Sequence, residues 1–378
     1  MRRVGKIAMI WLLLPLLAGC WDIKDIQEIN YVTSIGFDLD NNRYRAYVQM
    51  LDFSSVAKTE SSKPTQPMPV WVGVGTGETL IGAFNDLYKT SQMRTSFGQL
   101  NTVVIGEGLM KTGMKDVKEL LSRYYEFRYT PWVFGSRQPI DELFEITPFF
   151  NLSPLMSVLN QPLEVYKQQS LIAPLTLREF ISETREPGNS TFLPSLSISS
   201  HTWRNGNQQK PMLKIDGVFV FQREHFQKWF DWESVQGLRW VEPKTERSPL
   251  LLRSEGKPQA SVSLEKPKIN IVPQAGEDQV TFHMNVKISG YISEILQQPI
   301  PETVLELRVA EEVKKQIKDT YEEGLKKNLD LMHLEHALYR LDNREWKKWR
   351  DRGGLNLTPD SLNMRVEVKL NHSGKIKY

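Results

Sequence analysis

The chain has 378 residues, of which 40% are hydrophobic and 25% are charged, with 48 basic and 45 acidic residues. Three of the basic residues lie in the first twenty positions, which contain no acidic residue, so the remainder of the chain is formally neutral. This balance argues against a nucleic-acid-binding protein, which would present a strongly basic face. At about 100–200 residues per domain, the length predicts two or three domains.

The first twenty residues predict a cleaved signal peptide that ends at a lipid-attachment site. The apolar run 7–17 is too short to span a bilayer, which needs about 20 apolar residues. It ends in Leu17-Ala18-Gly19-Cys20, which resembles a lipobox. The resemblance implies diacylglyceryl transfer to the Cys20 thiol, cleavage after Gly19 and acylation of the new amino terminus. An ordinary secretory signal and a short anchor helix are the alternatives. Cys20 is the only cysteine, so the chain can form no intramolecular disulfide.

The segment after this site predicts alternating strands and helices. Residues 31–38 and 44–51 flank the turn 40–42 and predict a β-hairpin. Gly73, Gly75 and Gly77 raise the hypothesis of a phosphate-binding loop. They lack both the G-x-G-x-x-G spacing and the Lys-Ser/Thr ending that such loops need, so a strand-to-helix turn before a helix at 78–93 is favoured.

The next segment predicts a mixed α/β layer followed by a proline-rich middle region. Strands are predicted at 100–105 and 128–135, with a helix between them whose apolar stripe consists of Val117, Leu120, Leu121 and Tyr124. In the middle region, Thr176 and Glu179 have the spacing of a capping box for a helix that stops before Pro187. Strands are predicted at 193–203 and 212–221.

The C-terminal third predicts a second sheet with a long helix. Phe226, Trp229, Phe230, Trp232 and Trp240 are interpreted as the core of a small helix and turn, with a partner-binding surface as the alternative. Segments 261–273 and 280–289 predict a hairpin, and 364–370 predicts a last strand. A helix at 302–329 has an apolar residue every four positions and is expected to back a sheet, although it could also lie on a membrane or a partner helix.

The sequence predicts no catalytic site and no cofactor. His333 and His336 have the spacing of a metal-binding pair on a helix face at 330–350, but a solvated helix face is the favoured interpretation, and no metal is predicted. No nucleophile elbow, nucleotide fingerprint or defensible carboxylate pair is present, so an enzyme is unsupported.

Several stretches together resemble one protein family. Cys20-Trp21-Asp22, the strand end at 35–38, the stretch 97–109, the strand 215–221 and the segment 290–294 are similar, in order and spacing, to the Ger(x)C family, the lipoprotein C subunits of bacterial spore germinant receptors. Family members often have a Gly-Phe-Gly turn before the Trp-Lys pair, whereas this chain has residues 331–336 there.

The resemblance implies a multi-domain α+β fold, with mixed sheets each flanked by helices behind a cleaved lipoprotein signal peptide. The expected division is a signal peptide at 1–19, an N-terminal α/β domain at 20–137, a middle domain at 138–240 and a C-terminal α+β domain at 241–378. It also implies a non-enzymatic receptor subunit that responds to nutrient germinants. Its expected partners are membrane lipid, through Cys20, and the A and B membrane subunits, on the outer face of the spore inner membrane. A solute-binding lipoprotein that serves a transporter is the alternative, and its mark would be tight binding of a free amino acid or sugar, which we do not expect.

Overall fold

The computed structural model describes residues 29–51, 68–123, 126–296 and 300–371, which form two mixed β-sheets with flanking helices. The strands are β1 Ile29–Asp40, β2 Arg43–Leu51, β3 Val70–Gly77, β4 Arg94–Ser96, β5 Thr102–Gly106, β6 Trp132–Ser136, β7 Leu175–Thr176, β8 Ser190–Asn205, β9 Gln208–Gln222, β10 His225–Asp231, β11 Ser248–Ser254, β12 Lys257–Ala275, β13 Val280–Ile295 and β14 Leu362–Asn371. The helices are α1 Leu80–Tyr88, α2 Glu107–Thr112, α3 Lys115–Arg123, α4 Ile140–Glu145, α5 Pro162–Gln168, α6 Leu177–Arg185, α7 Leu238–Val241, α8 Glu302–Leu325, α9 Leu334–Leu341 and α10 Asn343–Asp351. The predicted α+β class is confirmed.

The first sheet has the order β10-β9-β8-β6-β5-β1-β2-β3, with β4 paired to β1 and β7 paired to β6. Its centre is parallel, because β5 pairs in parallel with both β1 and β6, and the strands at both ends are antiparallel. The predicted hairpin is confirmed as β1–β2. Asn41 and Asn42 form its turn with φ of 50° and 58°, which suits a two-residue turn that requires positive φ at both positions.

The three glycines of the hypothetical phosphate loop lie within strand β3 and bring helix α1 close to it. A β-carbon on Gly75 would overlap the backbone of Ala83, and one on Gly73 would meet the side chain of Leu87 at 2.9 Å. The glycines therefore allow close packing of helix on strand. The helix is shorter than predicted, since it ends at Tyr88.

Strand β9 joins the two cores of the molecule. Val218 and Val220 face the larger core, which includes residues of the second sheet, whereas Phe219 and Phe221 face the core of the first sheet. This alternation follows from the two-residue period of a strand. The strands predicted at 193–203 and 212–221 therefore belong to the first sheet as β8 and β9.

The aromatic segment after β9 differs in part from its prediction. Residues 225–231 form strand β10, antiparallel to β9, so the helix predicted there is wrong. The burial is as expected, because Trp240 is fully buried and Phe230 is nearly so. The pairing with β9 satisfies the backbone of this segment, and the aromatic side chains fill the core on either side.

The second sheet has the order β11-β12-β13-β14, in which β13 and β14 are parallel and the other pairs are antiparallel. Helix α8 buries the side chains of its predicted stripe in the core that this sheet shares, namely Leu305, Val309, Val313, Ile317 and Tyr321. The expectation that this helix backs a sheet is confirmed. The stretch predicted as one helix at 330–350 is divided into α9 and α10.

The domain boundaries near 137 and 240 stay predictions. The first sheet continues across the boundary predicted near 137, since Gly135 of β6 pairs in parallel with Ser195 of β8. The boundary near 240 falls in α7, between the last strand of the first sheet and the first strand of the second. Within the described ranges, no helix combines the length and apolar character needed to cross a bilayer.

Candidate functional site: a cleft between the two sheets

The predicted lipid-attachment site lies outside the described residues. Leu17, Ala18, Gly19 and Cys20 precede the first described residue, Ile29. Lipidation and cleavage therefore stay predictions from the sequence.

The structure brings together two of the stretches that carried the family resemblance. β1 and β5 are parallel neighbours, with Phe37 opposite Ile105, so both strands end at the same edge of the sheet. There Asp38 Oδ1 accepts hydrogen bonds from the backbone N–H of Leu39 at 2.8 Å and of Leu109 at 3.2 Å. The carboxylate thus fixes the start of α2 against the end of β1. This contact holds two segments of the fold together.

The histidines at the spacing of a metal-binding pair are not joined by further metal ligands among the described residues. The described part of the chain contains no group of three or more His, Cys, Asp and Glu residues that could hold a metal ion. His333 has φ of 55° and stacks at 4.8 Å, centroid to centroid, on Phe192. Burial lowers the pKa of His333 to about 4, so its imidazole is neutral at pH 7. The interpretation of this position as a solvated helix face is therefore wrong.

A cleft of about 570 Å³ lies where the two sheets meet. We call it the junction cleft. It is bounded by helix α6, the segment 241–244 after α7, strand β12 and the loop that leads into α9. Its apolar lining includes Ile172, Leu175, Leu238, Val241, Ile269 and Ile271. Its volume and apolar walls are those of a small-molecule site, which typically measures about 300–1,000 Å³.

The predicted capping box positions the charged side of this cleft. Thr176 Oγ1 accepts a hydrogen bond from the Glu179 backbone N–H at 3.3 Å, and Glu179 Oε2 accepts from the Thr176 backbone N–H at 2.9 Å. The other oxygen of Glu179 accepts from Lys244 Nζ at 3.0 Å. Burial by itself raises the pKa of Glu179 and lowers the pKa of Lys244. These contacts outweigh burial, so the pKa of Glu179 is lowered and the pKa of Lys244 is raised. The two side chains therefore form an ion pair at neutral pH.

Two further carboxylates lie beside this ion pair. Glu242 Oε1 accepts a hydrogen bond from the Lys244 backbone N–H at 2.8 Å, and burial raises its pKa. Glu183 lies one helical turn after Glu179 and lines the cleft. Among the described residues, its carboxylate has no hydrogen-bond or ion-pair partner. Burial raises its pKa to about 7; the charge of Lys244 acts against this shift, and the charges of Glu242 and Glu179 add to it.

The loop before α9 closes the other side of the cleft. Buried Asp330 accepts hydrogen bonds from the backbone N–H groups of Met332 at 3.0 Å and Glu335 at 2.8 Å, and burial raises its pKa to about 7. His333 lines the cleft from this loop, and its Nδ1 atom is buried with no hydrogen-bond partner. His336 Nδ1 lies 3.2 Å from the carbonyl oxygen of Pro187.

Sequence reasoning identified the capping box but missed the cleft. Glu183 follows Glu179 at the spacing that places both on one helix face, which is a signal available in the sequence. Lys244 and Glu242 are about sixty residues further along, and nothing in their local pattern indicates that they approach α6.

Comparison with known protein families gives the chain's affiliation. Residues 22–198 match the family described as the spore germination protein N-terminal domain. Residues 216–374 match the one described as spore germination B3/GerAC-like, C-terminal. The chain belongs to the GerAC-like family of spore germination proteins. The resemblance to the Ger(x)C family found in the sequence is confirmed.

Relatives from Bacillus subtilis (strain 168) extend over most of the chain. The spore germination protein KC is 22% identical over 396 residues, which cover 99% of this chain and 97% of that protein. The putative spore germination protein YfkR is 24% identical over 299 residues, covering 78% of this chain and 75% of that protein. The crystal structure of the GerBC protein superposes with a TM-score of 0.54 at 14% identity, over 90% of this chain and 97% of that one. This GerAC-like chain therefore shares the GerBC fold.

Proposed function

We propose that this GerAC-like chain is the membrane-anchored lipoprotein C subunit of a spore germinant receptor complex, needed for the response to nutrient germinants. The observation that supports the proposal is that both family domains match in order, at 22–198 and 216–374. The KC protein aligns over nearly its full length, so the likeness extends well beyond a single module.

The proposed mechanism is non-enzymatic. The chain assembles with the A and B membrane subunits and couples their response through surface contacts, and the only covalent chemistry is the lipidation of Cys20. Nine residue-to-residue steps lead from Cys20 to Ile29 at the start of β1. At about 3.3–3.6 Å per extended residue, they hold the first strand within roughly 30 Å of the outer face of the spore inner membrane.

The function is tested in spores that carry no other protein of this family. Restoring the wild-type gene for this chain, together with its A and B subunits, is expected to restore germination by a nutrient. Restoring the A and B subunits alone is expected to leave the spores unresponsive to nutrients, while a nutrient-independent trigger still acts. Full nutrient responses without this chain would contradict the proposal.

A solute-binding lipoprotein that serves a membrane transporter is the second candidate. The observation that favours it is the junction cleft, whose apolar walls and unpaired Glu183 are features of a small-ligand site. This candidate requires micromolar binding of a transported solute by the purified protein. Calorimetric titration with free amino acids and sugars separates it from the receptor proposal, which predicts no tight binding of either.

A further inference from the structure

The junction cleft contains more negative than positive charge. Its lining contains three carboxylates, Glu183, Glu186 and Glu242, and two cations, Lys244 and Arg340. Lys244 Nζ already pairs with Glu179 Oε1 at 3.0 Å. Arg340 Nη1 lies 3.7 Å from Glu186 Oε1. Among the described residues, these pairings leave the half-buried Glu183 carboxylate with no direct ion-pair or hydrogen-bond contact, and only the more distant charge of Lys244 favours its ionised form. An unpaired carboxylate is costly in such a place unless a cation binds there.

A second group in the cleft also lacks a hydrogen-bond partner. His333 is neutral, and its buried Nδ1 can accept a hydrogen bond when the proton is on Nε2. Buried polar atoms are nearly always satisfied, so an orphan atom on a cleft wall indicates that a partner is missing. The cleft therefore presents one acceptor, the Glu183 carboxylate, and lies against a second, the buried Nδ1 atom of His333, which solvent does not reach.

The chemistry of the walls selects the kind of cation. The described residues offer no three-ligand group of His, Cys, Asp and Glu for a metal ion. Leu238, Ile269 and Ile271 supply an apolar surface that a hydrated ion cannot use. An organic cation with an aliphatic chain satisfies both requirements, since its charged head meets the carboxylate and its chain covers the apolar wall.

We propose that the junction cleft is a binding site for a small aliphatic primary amine in its ammonium form, with Glu183 as the carboxylate that accepts its hydrogen bonds. The proposal is independent of the receptor-subunit function.

The test is a calorimetric titration of the full chain, purified in detergent, with hexylammonium. Hexanol and hexanoate serve as the neutral and anionic probes of equal chain length. Hexylammonium is expected to bind saturably, and the two controls are expected to bind at least about tenfold more weakly, because they lose the charged hydrogen bond. Equal binding of hexanol, or no saturable binding of hexylammonium, would overturn the proposal.

Two variants locate the site. Glu183→Gln is expected to weaken hexylammonium binding about tenfold or more. Glu164→Gln removes the same charge from exposed helix α5, outside the cleft, and is expected to leave the affinity unchanged. Unchanged affinity in Glu183→Gln would refute the assignment. If that variant does not fold, carbon-13 NMR of the wild-type glutamates tests the assignment. Hexylammonium is expected to lower the pKa of Glu183, and an unchanged pKa would refute the assignment.

Discussion

The carboxylate of Asp38 occupies the space beside Gly106 that a β-carbon would need. The same carboxylate accepts a hydrogen bond from the backbone N–H of Leu109 at 3.2 Å. These contacts join the ends of the parallel strands β1 and β5 to the first turn of α2. A glycine at this position allows a half-buried acid to cap the next helix, so the two sequence stretches act as one structural unit.

We expect Gly106→Ala to lower the free energy of unfolding by about 1–3 kcal/mol, because the new methyl group displaces Asp38 and its hydrogen bonds. Gly98→Ala is the matched control before the same strand. Its β-carbon would meet only Ser96 Oγ, at 3.5 Å, which is ordinary contact. Urea denaturation of both variants measures the difference, and equal stability would show that the Asp38 contact is not required.

We expect Glu183→Gln to stabilise the protein more at pH 8 than at pH 4. The folded-state pKa of about 7 lies above the ordinary value of 4.5, so the folded protein keeps a proton that the unfolded chain releases. Stability from this group therefore falls as pH rises between these values. Glutamine does not titrate, so it has no such loss. At pH 8 the free energy of unfolding of the variant is therefore expected to exceed that of the wild type by about 1–2 kcal/mol, allowing for partial solvent screening.

Denaturant unfolding of wild type and variant at both pH values measures this gain. Glu164→Gln is the control, since its carboxylate is exposed beside Lys167 on helix α5. A difference between wild type and Glu183→Gln that is the same at pH 4 and pH 8 would contradict the assigned environment of Glu183.

We expect Gln316→Ala to destabilise the junction between the sheets by about 2 kcal/mol, because two buried donors lose their acceptor. Gln316 Oε1 accepts from Arg239 Nη2 at 3.1 Å and from Trp240 Nε1 at 2.9 Å. Burial lowers the pKa of Arg239 to about 10, because its guanidinium is poorly solvated. Water therefore cannot readily replace the hydrogen bond that Gln316 accepts.

The control for this prediction is Lys315→Ala, on the exposed face of the same helix, which is expected to change stability by less than about 0.5 kcal/mol. Thermal unfolding followed by tryptophan fluorescence measures both variants. If the two variants unfold at the same temperature, the bridge from α8 to α7 contributes nothing measurable.

We expect Cys20→Ala to move the protein from the membrane to the soluble fraction while leaving its body folded. The physical reason is that each acyl chain contributes about 0.8 kcal/mol of membrane affinity per buried CH₂, and the variant has no thiol to acylate. Fractionation of cells that express the chain without its proposed partners, with circular dichroism of the soluble product, measures the change. Full retention in the membrane fraction of such cells would contradict the anchor.

The sequence predicted the elements whose signals are local. The β1–β2 hairpin follows from Asn41-Asn42 between alternating strands, and α8 follows from its four-residue apolar repeat. The capping box of Thr176 and Glu179 is equally local, and the structure contains it. In each case the residues that decide the structure lie within one or two turns of one another.

The remaining features depend on contacts between distant segments. β10 is a strand because β9 offers it an unpaired edge, and this pairing overrides the apparent helical pattern of its aromatic residues. The charge arrangement of the cleft needs Lys244 to reach Glu179 across 65 positions. Burial of His333 similarly depends on Phe192, which belongs to the other sheet.

The measurement that tests the account most directly is affinity purification of the lipidated protein from dormant-spore inner membrane, with mass spectrometry of the proteins recovered. The account predicts recovery of a multi-spanning A subunit and a transporter-like B subunit. Recovery of ATP-driven transporter components, or abundant protein in growing cells and none in spores, would contradict it and favour the solute-binding alternative.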